Sequence, residues 1–177
     1  MSTEHQTVRS RVVKILIVFY SRTGRTKKAS ETLASCLRSG GADVAVEELR
    51  EKKNRSGIVG WFSAGKDALF KKRTEIEPIG VNVKEFDIVL IGTPVWAFTA
   101  TPAVSCFLER HGTEIKKVAF FCTMRSSGDI GAFKRMEQLS GKTPIASLSL
   151  IDKFVWNNDE ANFLTKVKEF ANSVLKA

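Results

Sequence analysis

Val12-Val13-Lys14-Ile15-Leu16-Ile17-Val18-Phe19-Tyr20, followed without a break by Ser21-Arg22-Thr23-Gly24-Arg25-Thr26, decides the architecture of this chain. The first part is a nearly continuous apolar run of strand length, the pattern of a strand covered on both faces. The second part opens a helical pattern from about Thr26 to Ser39, in which Ala29, Leu33, Cys36 and Leu37 form an apolar stripe that Gly40-Gly41 stops. A short loop between a parallel strand and a helix leaves backbone N–H groups without intrahelical acceptors and aims the positive end of the helix dipole at them. Such a loop is a phosphate cradle. Hydroxyls at Ser21, Thr23 and Thr26 can add hydrogen bonds, and Gly24 lets the backbone turn. Neither G-x-x-x-x-G-K-[ST] nor G-x-G-x-x-G occurs, so the ligand expected is a monophosphate.

The same alternation continues along the chain. Strands are expected at Asp43 to Glu48, Asp87 to Ile91, Lys117 to Cys122 and Ile145 to Leu150, and helices near Pro102 to His111, Ile130 to Leu139 and Glu160 to Lys176. This order predicts an α/β domain with a doubly wound parallel sheet, in which ligands bind beyond the carboxyl ends of the strands. Residues 12–177 form one such domain, and residues 1–11 a polar, flexible tail. The link from Leu49 to Phe86 is too long for a simple connection. Within it Ile58, Trp61, Phe62, Gly65 and Leu69 recur at helical spacing, which marks an extra helix over Ile58 to Phe70. That helix is read either as the ordinary second helix of the fold or as a lid or partner contact.

Composition narrows the function classes. The chain carries 28 basic and 19 acidic residues, a formal charge of +9. Residues 50 to 73 hold most of the excess, with Arg50, Lys52, Lys53, Arg55, Lys66, Lys71, Lys72 and Arg73 against Glu51 and Asp67, a net +6. Two readings stand: a solvated face, or a docking surface for an acidic partner protein. Nucleic acid is disfavoured, because no recognition motif accompanies the charge. Cys36, Cys106 and Cys122 are an odd number without close pairs, so neither a disulfide framework nor a metal site is expected. The first apolar run is too short to cross a membrane. A cytoplasmic protein is the simplest expectation.

Three loops give the chain a resemblance to a known family. Ile15 to Thr26 looks like the strand and phosphate loop of the flavodoxins, FMN-binding electron carriers. Ile91-Gly92-Thr93-Pro94-Val95-Trp96-Ala97-Phe98 lies where that family places its first isoalloxazine-contacting loop, and Phe121-Cys122-Thr123-Met124-Arg125-Ser126-Ser127-Gly128-Asp129 lies where it places the second. The resemblance implies a five-stranded parallel sheet of order 2-1-3-4-5 and FMN as cofactor. It implies phosphate contacts from Ser21, Arg22, Thr23, Gly24, Arg25 and Thr26. Ring contacts would come from Thr93, Pro94, Val95, Trp96, Ala97 and Phe98, and from Thr123, Met124, Arg125, Ser126, Ser127 and Gly128. Trp96 stands where a stacking aromatic is common.

Departures from the family bear on mechanism. The chain is basic where the family is typically acidic, and Arg125 near the pyrimidine edge would make full reduction of the flavin easier than usual. Ala97 follows Trp96 where glycine is common, and a β-carbon there disfavours the positive φ needed to turn a carbonyl toward flavin N5. No tyrosine in Met124 to Asp129 covers the second flavin face. That face is left either to Trp61, Phe62 or another aromatic, or to a substrate. The leading expectation is therefore an FMN-dependent electron-transfer protein with an acidic redox partner. The alternatives are an NAD(P)H-dependent quinone or flavin reductase, a relative of the flavodoxin-type protoporphyrinogen oxidases, and a binding module that has lost its flavin.

Overall fold

Five parallel strands in the order β2-β1-β3-β4-β5 form the sheet of the computed structural model, which describes residues 11–52, 74–151, 155 and 159–177. The elements run β1 (Lys14–Phe19), α1 (Arg25–Ser39), β2 (Asp43–Glu48), β3 (Ile88–Pro94), α2 (Pro102–His111), β4 (Lys117–Met124), α3 (Asp129–Ser140), β5 (Ser147–Ile151) and α4 (Glu160–Lys176). This is the order implied by the family resemblance. The expected tail, apart from Arg11, and the expected helix over Ile58 to Phe70 lie outside the described residues. Among the described residues, no helix is long and apolar enough to cross a membrane.

Period-two alternation within each strand sends side chains to two separate cores. Ile15, Ile17, Phe19, Leu90, Phe121 and Leu150 face α1 and α4, where Leu33, Leu37, Phe163, Val167 and Phe170 meet them. Leu16, Val18, Val89, Ile91 and Phe120 face α2 and α3, against Val104, Phe107, Leu108 and Met136. Deleting one such side chain, as in Leu33→Ala, removes about 2–5 kcal/mol of stability. The sheet's central strands are therefore a rigid floor.

β3 is longer than the sequence pattern predicts. Gly92, Thr93 and Pro94 read as loop residues, but they continue the parallel ladder opposite Phe121, Cys122 and Thr123. The proline ends the strand, where a missing N–H disturbs least. Gly92 serves this ladder by its small size: a β-carbon there would overlap the ring of Phe121. Beyond β2 the chain makes a short antiparallel bridge, Glu51 with Ile76. Two backbone hydrogen bonds support it, Lys52 N–H to Glu75 O at 2.9 Å and Glu77 N–H to Arg50 O at 2.8 Å.

Candidate functional site

The carboxyl ends of β1, β3 and β4 bring all three loops to one edge of the sheet. In the first, Gly24 takes a left-handed conformation (φ 84°) as the N-cap of α1. Its carbonyl accepts the first helical bond from the Lys28 amide at 2.9 Å. Ser21 Oγ accepts from the Lys27 amide at 3.2 Å, which caps the third helical position, and its own proton can still be donated. Thr23 Oγ1 accepts from Arg25 Nη1 at 3.1 Å. The first turn of α1 contains no acidic residue, whereas Asp129 and Glu160 stand in the first turns of α3 and α4. At those two helices a carboxylate of the chain offsets the positive dipole end; α1 and α2 lack one, and of these α1 starts at the three-loop edge behind a short strand-to-helix loop.

Thr26 is placed differently from its neighbours. It is buried, and its Oγ1 lies 2.9 Å from Thr123 Oγ1 at the end of β4. The phosphate loop is thereby tied directly to the strand that carries the third loop. Thr93 is buried as well, with its hydroxyl donating to Pro94 O at 3.0 Å and accepting from the Thr101 amide at 3.1 Å. Met124 also points inward. Of the expected site residues, Thr26, Thr93, Thr123 and Met124 thus build the floor beneath the loops. Arg22, Thr23, Ala97, Phe98, Arg125, Ser126 and Ser127 form the exposed rim, with Ser21, Gly24, Arg25, Pro94, Val95, Trp96 and Gly128 half-buried between them.

Trp96 joins the second loop to the first. Tyr20 meets its ring edge-on at 5.7 Å between centroids, with the planes at 90°. The Arg22 guanidinium lies over the Trp96 ring, 5.7 Å from its centroid, a cation–π arrangement. Arg22, exposed at the rim, thus rests against Trp96, while Arg25 donates to Thr23. Glu51 completes the group electrostatically. Partial desolvation pushes its carboxyl above the usual range while Arg22 pulls it back. Desolvation also raises the Tyr20 phenol, with Glu51 acting in the same sense and Arg22 against it. Sequence reading did not single out Tyr20 or Glu51. The bridge that sets Glu51 beyond β2 joins residues 25 positions apart, and nothing local announces it.

The second loop holds a correction. Residues Trp96 to Thr99 close a two-residue hairpin through reciprocal backbone bonds of 3.0 Å. Ala97 (φ 46°) and Phe98 (φ 63°) both adopt positive φ. The β-carbon of Ala97, expected to oppose this conformation, does not prevent it. Left-handed backbone costs a non-glycine residue roughly 1–2 kcal/mol, so the surroundings must impose it. Both central residues with positive φ mark a type I′ turn, normally an Asn-Gly or Gly-Gly sequence.

Beneath the third loop, Cys122 is buried in β4. Desolvation pushes its thiol up to about 12. Such a thiol is inert and acts as a small core residue. Ser149 Oγ donates to Asp129 Oδ2 at 2.6 Å, which fastens the start of α3 to β5. His111 ends α2 as expected, with Nδ1 at 2.9 Å from Glu114 Oε2.

Comparison with known proteins agrees with this geometry. The sequence model of the flavodoxins matches residues 14–166. An NAD(P)H dehydrogenase (quinone) from Archaeoglobus fulgidus is 26% identical over 145 residues, which span 79% of this chain and 70% of that protein. Among solved structures, a flavoprotein from Lactobacillus acidophilus in complex with FMN superposes with a TM-score of 0.63 at 20% identity, over 88% of this chain and 100% of that one. A two-electron reduced flavodoxin from Megasphaera elsdenii gives 0.58 at 18% identity, over 92% and 99% of the two chains.

Proposed function

Because the chain belongs to the flavodoxin family, we propose that it binds FMN at the three-loop edge of its sheet and carries electrons between redox partners. The observation that carries this reading is the Thr26–Thr123 bond, which fixes a phosphate cradle and a ring-contacting loop to one rigid floor. The α1 first-turn amides, with the hydroxyls of Ser21 and Thr23, hold the phosphate. Residues 95–98 and 125–128 hold the ring. Bound FMN would supply one- and two-electron redox chemistry; the protein binds it, orients it and shapes its electrostatics. The exposed Arg125 favours negative charge on the ring at full reduction, so the two-electron-reduced state is easier to reach than in acidic relatives.

The basic balance of the chain fits an acidic redox partner whose association weakens with salt. The free cysteines fit a cytoplasmic site of action. A second reading, an NAD(P)H-dependent quinone reductase, is supported by the Archaeoglobus relative. One anaerobic experiment separates the two. The purified protein is expected to show flavin absorption that NADH or NADPH alone does not bleach. Rapid bleaching by either nucleotide would favour the reductase, and a colourless protein that takes up no added FMN would overturn both.

A further inference from the structure

The left-handed turn at Ala97 and Phe98 has no internal cause. Neither residue is a turn former, Phe98 is 69% exposed, and the two cross-turn bonds close the hairpin without favouring that backbone for these side chains. Under the turn lies the start of α3. A β-carbon at Gly131 would overlap the carbonyl oxygen of Phe98. One at Gly128 would stand 2.7 Å from Val95 Cγ1 and 3.1 Å from Phe98 Cα. Gly128 also needs its own positive φ of 112°, but Gly131 lies within the helix and has no such need. At Gly131, glycine serves space alone.

We propose that Gly131, assisted by Gly128, is a positioning residue: its bare backbone seats the Phe98 carbonyl, and so α3 holds the Trp96–Thr99 turn in its left-handed form. The second and third loops then act as one unit at the ring end of the site. This inference rests on the FMN reading for its consequence, but the seat itself exists without cofactor. It also explains why Ala97 tolerates a conformation that its β-carbon opposes. The turn is set before any ligand arrives, which lowers the ordering cost of binding.

Gly131→Ala tests this directly. Helix propensity alone predicts that the substitution stabilises α3 and leaves the turn unchanged. The seat predicts the opposite at the turn: faster amide exchange at Trp96 and Thr99 in the FMN-free protein, and an FMN dissociation constant raised at least about tenfold, with helix content intact. Gly141→Ala is the control. It strains the far end of α3, where φ is 64° and a β-carbon would meet nothing within 4 Å, and should leave turn exchange and FMN affinity unchanged. Unchanged exchange and affinity in Gly131→Ala overturn the proposal while the cofactor reading stands. If the unsubstituted protein takes up no FMN, the cofactor reading fails, and amide exchange in the FMN-free protein still decides whether the seat operates.

Discussion

The phosphate loop and the Trp96–Thr99 turn lie at the same sheet edge, but they reach their shapes by opposite routes. In the phosphate loop the left-handed residue is Gly24, and the cap comes from Ser21, six residues from the amide it accepts. Its turn and its helix cap are local, while the buried Thr26 bond and the Arg22–Trp96 contact reach beyond it. In the turn the left-handed residues are alanine and phenylalanine, and the space that permits them belongs to Gly128 and Gly131, thirty or more positions away. A loop with local determinants folds with its own sequence; a loop with remote ones depends on tertiary contact.

That contrast can be broken at several points. The largest effect is expected from Thr26→Val, which removes one partner of the buried hydroxyl pair and should cost about 1–3 kcal/mol of stability. Chemical denaturation measures it. A loss confined to FMN affinity would mean that the two regions are not mechanically joined. Gly24→Ala should come next, at about 1 kcal/mol or somewhat more, because it forces a β-carbon onto a left-handed backbone of φ 84°. Ala97→Gly should do much less. Relief of strain is offset by the greater freedom of glycine in the unfolded chain, so the melting temperature should barely move, within about 0.5 kcal/mol. A gain well above 1 kcal/mol would show instead that the α3 seat leaves the turn strained.

The smallest expected effect is an absence of reaction. At about pH 8, iodoacetamide should modify the half-buried Cys36 and Cys106 while Cys122 stays protonated and protected. Mass spectrometry after digestion reads this out. The sign of the linkage follows from the same burial. The folded thiol's raised value of about 12 contributes stability that is complete below the ordinary thiol range and lost as pH climbs toward 12. Early alkylation of Cys122 would show that the floor beneath both loops opens locally.

Most of the sheet was legible in the sequence because its strands are buried on both faces and its helices carry apolar stripes at helical spacing. α2 and α4 begin and end where their patterns do. The carboxyl end of β3 was not legible. Gly92 and Pro94 are poor strand formers, and pairing with Phe121, Cys122 and Thr123 extends the strand against their propensity. The candidate site divides along the same line. Loop positions follow from the ends of strands, so the three loops could be placed. The roles of individual side chains could not: the Thr26 bond spans 97 positions, and Arg22 reaches the Trp96 ring across the sheet edge. One signal for the turn was present but is weak in isolation. Gly128 and Gly131 stand three apart at a helix start, the spacing that leaves one helix face bare for another backbone.

The small bridge beyond β2 has a consequence for how this molecule can vary. Arg50, Glu51 and Lys52 are fastened to Glu75, Ile76 and Glu77, so the two ends of the intervening segment are held together by backbone hydrogen bonds. Loop-closure entropy grows only logarithmically with length, at roughly 0.6 kcal/mol per doubling. The cost of closing the chain at this point therefore depends only weakly on how many residues are inserted there. By sequence, the inserted residues carry Lys53, Arg55, Lys66, Lys71, Lys72 and Arg73 against Asp67, most of the chain's net positive charge. Length and closure are thus nearly independent at the point where the sequence concentrates its charge.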